Sequence, residues 1–135
     1  MPLLRFDLIQ GRDEDAVKKL LDAAHRAVVR SLGVPLRDRY QIVYQHPAHE
    51  LVLQDTGLGF ERSRDVVLIT IISAERSDAL KQALYQALAE ELESQCGIDP
   101  QDVVISLVAN TSAGWSLGLG EAQFLTGKLQ LPSGK

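Results

Sequence analysis

The sequence has little of what several classes of protein depend on. Its single cysteine, Cys96, excludes an internal disulfide framework and a zinc site built from several cysteines. Basic residues are in the minority, with 14 Lys and Arg against 18 Asp and Glu, whereas a protein that binds nucleic-acid backbones normally carries a basic stripe. No apolar run approaches the roughly 18 residues of a membrane-spanning helix, and the N-terminus lacks the features of a secretion signal. We therefore expect a cytoplasmic protein with no nucleic-acid or membrane partner.

What the chain does contain is typical of a globular domain. Hydrophobic residues make up 45% of it and charged residues 24%, which is close to the usual mix for such a domain. The length of 135 residues suits one hydrophobic core better than two. We expect residues 1–135 to form a single domain.

Apolar periodicity and turn residues predict two similar units. Each unit has a strand, a helix that ends at a glycine (Gly33 or Gly97), and a second strand. The second unit begins with an almost continuous β-branched run, which predicts a strand buried on both faces. Short extended pieces are also expected at 51–53 and at Phe124 and Leu125. The predicted strands cover residues 3–9, 40–44, 66–72 and 103–108, and the helices begin near Asp13 and Ser77.

A shift of the chain by 64 residues superimposes the two units without a gap. The pairs that match are Leu4 with Leu68, Arg12 with Arg76, Leu20 with Leu84, Ala23 with Ala87, Gly33 with Gly97, and Asp38 with Asp102. Both helix ends and both first strands coincide. The pattern predicts an α+β, two-layer fold in which duplicated β-α-β units form one four-stranded sheet with both helices on one face. The uncovered face needs a partner, so we expect a symmetric ring of identical chains.

Pro2 is the most informative position for chemistry. Methionine ahead of a small residue such as proline is normally removed, so we expect the mature chain to begin with Pro2. A terminal proline presents a rigid secondary amine whose proton affinity responds to its surroundings. It can serve as a general base when neutral and as an acid or cation when protonated. Proline at this position is also common and usually has no function.

Longer motifs accompany Pro2, and they cover nearly the whole chain. They lie at residues 1–9, 20–29, 37–43, 55–59, 96–98, 115–116 and 124–127. With these motifs the sequence resembles the tautomerase superfamily, and most closely its malonate semialdehyde decarboxylase branch. The resemblance implies a homotrimer that uses an amino-terminal proline on a β-α-β scaffold, without a metal or organic cofactor, and that acts on a small carboxylate substrate.

The resemblance also implies roles for individual residues. Pro2 matches the catalytic proline, Asp38 a carboxylate that orients water or substrate, and Arg76 one of two arginines that hold the substrate carboxylate. The second arginine is replaced by Ala74, which weakens geometric control over the substrate. The positions that match an apolar wall around the substrate are Trp115, Leu117, Phe124 and Leu129, of which Leu117 replaces an aromatic residue.

Several chemistries and several plain alternatives remain open at this point. Protonated Pro2 could stabilise the charge that forms during decarboxylation, or neutral Pro2 could form an iminium. The same residues could catalyse keto–enol tautomerisation or hydration, and a non-catalytic binding module with a vestigial pocket is an alternative of another class. Without the resemblance, Asp38 suggests a turn residue and Arg76 a surface residue. His46 and His49 are only a weak metal motif.

Overall fold

The computed structural model describes residues 2–130, so Met1 and the last five residues of the tail lie outside the described residues. Strands and helices alternate as the sequence predicts. The elements are β1 (Leu3–Ile9), α1 (Glu14–Leu32), β2 (Tyr40–His46), β3 (Val67–Ser73), α2 (Asp78–Cys96), β4 (Val103–Ala109) and α3 (Gln123–Thr126). None of the helices within residues 2–130 is long and apolar enough to cross a lipid bilayer.

The two long helices begin and end at the residues that the sequence indicates. Asp13 caps α1 by accepting a hydrogen bond from the backbone of Ala16, and Ser77 caps α2 in the same way. Gly33 and Gly97 end the helices in the left-handed conformation, both with φ of 68°. A residue with a Cβ is strained in this conformation, so glycine allows the chain to turn back towards the sheet.

The sheet has the strand order β2-β1-β3-β4. β1 pairs in parallel with β2, and β3 pairs in parallel with β4, as expected for β-α-β units. The two units join through the antiparallel pairing of β1 with β3. The chain therefore forms the single four-stranded sheet predicted from the repeat.

The core lies between one face of this sheet and the two long helices. Side chains from β1 and β3, such as Phe6 and Ile69, pack against helix residues such as Leu20 and Leu88, and all four are buried. The other face is only partly covered: along β3, fully buried residues alternate with half-buried ones. The prediction that this strand is buried on both faces is therefore wrong for the isolated chain.

Two predicted extended pieces are also absent. Residues 51–53 form no strand in the long connection between β2 and β3, and the segment at Phe124 and Leu125 forms the short helix α3 instead. Apolar residues in a loop favour an extended backbone, but a strand needs a neighbour with free backbone groups. β2 runs two residues further than predicted, to His46, because its pairing with β1 continues to Ile9.

Candidate active site

Three of the candidate residues, Pro2, Asp38 and Arg76, lie at the same edge of the sheet. β1 and β2 begin at this edge, and β3 and β4 end there, because β1 and β3 are antiparallel. Leu3 pairs with Ile72, so one further step along the register places Pro2 opposite Ser73. Asp38 comes two residues before β2 and Arg76 three residues after β3. Strand topology therefore brings together residues that are far apart in the sequence.

Pro2 lies in the interior of the protein beside Asp38. Its side chain is less than 2% exposed, and it lines a small cavity with Asp38, His25 and Tyr40. The cavity measures about 10 Å³, which is about the space that the centre of one water molecule needs. Asp38 and Pro2 thus share a water-sized space.

Arg76 is buried at the same edge, which contradicts the alternative of a surface arginine. It is 5% exposed, and its Nη2 donates to Ser73 Oγ across 3.5 Å. Its Nε is buried and has no hydrogen-bond partner among the described residues. Burial lowers the pKa of the guanidinium from its ordinary value, and the negative charge of Asp38 acts in the opposite direction. Because arginine stays protonated, this corner of the protein holds a cation with an unused donor.

Ser73 connects this corner to the C-terminal segment. Its carbonyl oxygen accepts a hydrogen bond of 2.8 Å from the backbone of Asn110, the first residue after β4. The side-chain oxygen of Asn110 accepts 3.0 Å from the indole N–H of Trp115. Gly114 lies against Asn110, where a Cβ would come within 3.1 Å of the amide group. Trp115 is therefore tied to the edge that carries Pro2 and Arg76.

The other predicted wall residues lie further along this segment. Gln123 holds it together, since its side-chain oxygen accepts from Leu117 N and its amide donates to the carbonyl oxygen of Gly118, both at 2.9 Å. Phe124 is half-buried, and Leu129 is 40% exposed. None of Trp115, Leu117, Phe124 and Leu129 is among the residues that line the Pro2 cavity. Their contact with substrate stays a prediction.

Asp102 and Arg12, which the repeat aligns with Asp38 and Arg76, lie at the opposite edge of the sheet and make different contacts. Asp102 is 3% exposed, and its carboxylate accepts from the backbone and hydroxyl of Ser63 at 2.7 and 2.6 Å. Arg12 donates to the carbonyl oxygen of Asp65 at 3.1 Å. Both residues anchor the long connection before β3. The two edges of the sheet therefore carry similar residues in different roles.

The histidines and the cysteine that the sequence singles out do not form a metal or nucleophile site within residues 2–130. His46 Nε2 lies 2.7 Å from Asp7 Oδ1, and His49 lies in a short turn after β2. Within residues 2–130, no group of three or more His, Cys, Asp or Glu side chains could hold a metal ion. Cys96 packs against the core, and burial raises the pKa of its thiol, which disfavours the reactive thiolate.

Comparisons with known proteins identify the family to which the chain belongs. Two family models, both described as tautomerase enzymes, match residues 38–118 and 2–61. The chain belongs to the tautomerase family. A probable tautomerase of Bacillus subtilis, YrdN, is 56% identical over 129 residues, which are 96% of this chain and all of that protein.

Solved structures of other tautomerase-family proteins have the same fold. A malonate semialdehyde decarboxylase, described with decarboxylase and hydratase activities, is 54% identical with a TM-score of 0.93, over 95% of this chain and 99% of its own. A fused 4-OT protein, described as a symmetric trimer, is 26% identical with a TM-score of 0.75, over 93% of this chain and 98% of its own. The fold and the membership of an enzyme family predicted from the sequence are therefore confirmed.

Sequence reasoning missed two residues of this edge. Ser73 joins Arg76 to the C-terminal segment, and His25 lines the Pro2 cavity. The sequence shows only that His25 borders the apolar stripe of α1, and in the structure it is 6% exposed. A polar residue at a buried helix position was the one available signal. The contacts of His25 with this cavity arise only when α1 packs against the segment before β2, so the sequence alone does not show them.

Proposed function

We propose that this tautomerase-family protein is a cofactor-independent decarboxylase of malonate semialdehyde or a similar small 3-oxo acid, with Pro2 as its catalytic residue. The observation that carries the proposal is the buried guanidinium of Arg76, whose Nε has no partner in residues 2–130, at the edge where Pro2 and Asp38 share a cavity. A buried unpaired donor is costly unless a ligand completes it. A substrate carboxylate has the right charge and geometry to do so.

The proposed reaction breaks the bond between the carboxylate carbon and C2. The electron pair of that bond forms an enolate, carbon dioxide leaves, and C2 then takes up a proton to give acetaldehyde. Protonated Pro2 would stabilise the negative charge on the carbonyl oxygen, and the carboxylate of Asp38 would favour this protonated form. An iminium between neutral Pro2 and the aldehyde is the other route to the same electron flow.

Hydration of an unsaturated acid is the second candidate, and one observation favours it. The cavity between Pro2 and Asp38 has about the size of one water molecule, so Asp38 could position a water for addition to an activated double or triple bond. The similar decarboxylase with hydratase activity supports both reactions as proposals for this chain. Keto–enol tautomerisation would need neutral Pro2 as a base.

We also propose that the protein works as a homotrimer in the cytoplasm. The similarity to a trimeric fused 4-OT protein supports the assembly, as does the sheet face left partly exposed in the single chain. Cell fractionation tests the location.

A substrate panel tests the proposed reaction. Purified protein is given malonate semialdehyde, phenylenolpyruvate and a propynoate, and kcat/KM is measured for each. We expect the highest value with malonate semialdehyde, with acetaldehyde and carbon dioxide released in equal amounts. The highest value with phenylenolpyruvate or with the propynoate would instead assign a tautomerase or a hydratase. No turnover of any of them would favour the binding module.

A further inference from the structure

His25 joins helix α1 to the turn that precedes β2. Its Nε2 lies 2.6 Å from the carbonyl oxygen of Leu36, and because a carbonyl oxygen only accepts, Nε2 donates its hydrogen there. The turn itself closes with the backbone N–H of Asp38, which donates to the carbonyl oxygen of Pro35 at 2.9 Å. His25 therefore holds the peptide group two residues before Asp38.

Two further bonds tie the segment after this turn to α1, but both lie nearer the surface. Arg39 donates to Asp22 at 2.8 Å, with side chains 37% and 31% exposed, and Gln41 donates to the carbonyl oxygen of Leu21 at 2.8 Å. Solvent weakens an ion pair with this exposure. His25 is only 6% exposed, so it is the most deeply buried of the three donors.

We propose that His25 is a positioning residue, whose hydrogen bond to Leu36 fixes the turn so that Asp38 stays in the cavity beside Pro2. The inference rests on the proposed function in one respect, because it assumes that the turn serves to hold the Asp38 carboxylate near the Pro2 nitrogen. His25 lines the same cavity. The other charged or titratable groups around that cavity are Arg39 and Tyr40, together with Arg76, which interacts with Asp38.

The test measures how fast bromoacetate alkylates the Pro2 nitrogen as the pH is varied. The readout is the labelled fraction of the N-terminal peptide after digestion, which separates Pro2 from Cys96 and the histidines. Only the unprotonated nitrogen attacks: the N–C bond forms, bromide leaves, and the proton goes to solvent. Without the nearby Asp38 charge, the protonated nitrogen is less favoured. We therefore expect Asp38→Asn to lower the pH midpoint of labelling, and His25→Leu to lower it by about 0.5–1 unit.

Two further variants separate positioning from a general loss of structure. His25→Gln keeps an N–H donor for the carbonyl oxygen of Leu36, and it should restore the wild-type midpoint. Ser31→Ala removes a hydrogen bond within α1, from the Ser31 hydroxyl to the carbonyl oxygen of Ala27 at 2.7 Å. Ser31 lies in a pocket with residues of α2 and does not line the Pro2 cavity. We expect this variant to leave the midpoint unchanged. In the substrate assay, His25→Leu should lower kcat about tenfold and change KM less, since misplacing a reacting group affects the chemical step.

An unchanged midpoint in folded His25→Leu would overturn the proposal. So would ring ¹⁵N shifts of wild-type His25 that show hydrogen on Nδ1 instead of Nε2, a measurement that does not depend on any variant folding. The labelling assay needs no substrate turnover. A protein without decarboxylase activity whose midpoint still moves with His25→Leu would support the positioning role while the proposed function fails. An active protein whose midpoint does not move would overturn the positioning role alone.

Discussion

At the scale of single residues, position in the fold separates functional candidates from their repeat mates. Asp38 and Asp102 occupy equivalent places in the two units, yet Asp102 is bonded to Ser63 while Asp38 lines the Pro2 cavity. The sequence predicts that Asp38 and Asp102 occupy equivalent places, but it does not predict that they make different contacts. The two aspartates face different segments: Pro2 lies just before β1, whereas the long connection that Asp102 anchors through Ser63 lies before β3.

Ala74 gives the most specific prediction at this scale. It is half-buried just after β3, on the same connection as Arg76, and it stands where the resemblance implies a second arginine. If Arg76 alone holds the substrate carboxylate, Ala74→Arg should add a second charged donor and lower KM for malonate semialdehyde about fivefold. Steady-state kinetics measures this. Ala83→Arg, on the exposed side of α2, is the matched control, and an equal effect of both variants would contradict the role given to position 74.

At the scale of elements, local signals predict the helices better than the ends of the strands. Asp13, Ser77, Gly33 and Gly97 act through contacts within a few residues, so the sequence contains all the information needed to place them. β2 extends to His46 because β1 offers partners that far. Residues 51–53 have suitable side chains but pair with no strand within residues 2–130, which no local pattern can show.

The contact between Asp7 on β1 and His46 on β2 leads us to expect that the stability of the protein depends on pH. Burial acts to raise the pKa of Asp7, but hydrogen bonds from His46 and Arg5 outweigh it and hold this pKa below 3.8. A lowered pKa stabilises the folded state above pH 3.8, and this contribution is lost as the pH falls towards the lower value of the folded state. Asp7→Asn should therefore cost about 1–2 kcal/mol at pH 6 and progressively less below pH 3.8.

Urea denaturation of both proteins across this pH range measures the effect. Asp15→Asn, at an exposed position in the first turn of α1, controls for the removal of one negative charge. A difference between wild type and Asp7→Asn that is as large at pH 3 as at pH 6 would contradict the account of Asp7.

At the scale of the whole molecule, one face of the sheet has no layer of helices within the described residues 2–130. Tyr44, Ile42 and Val108 on this face are 55%, 50% and 51% exposed in the single chain, and the register places them on the same side. Apolar residues grouped in this way normally mark a surface that binds a partner. The repeat allowed this face to be predicted from the sequence, because two β-α-β units with both helices on one side leave the other side open.

We expect Ile42→Asp to disrupt the proposed trimer, because an unpaired charge would be buried between the subunits. Sedimentation should then show a mass near that of one chain, 14.8 kDa, in place of three times that value. Gln86→Glu adds the same charge on the exposed side of α2 and should leave the trimer intact. A wild-type protein that sediments as a monomer would contradict the assembly.

The proposed chemistry depends on a free Pro2 nitrogen, so the decisive experiment compares wild type with Pro2→Ala. Intact mass is recorded on each sample, so that removal of Met1 is known before kcat/KM for malonate semialdehyde is measured. We expect that wild type lacks Met1 and that Pro2→Ala lowers kcat/KM by about 10²-fold or more. Equal rates for the two proteins, or full activity in wild type that retains Met1, would contradict it.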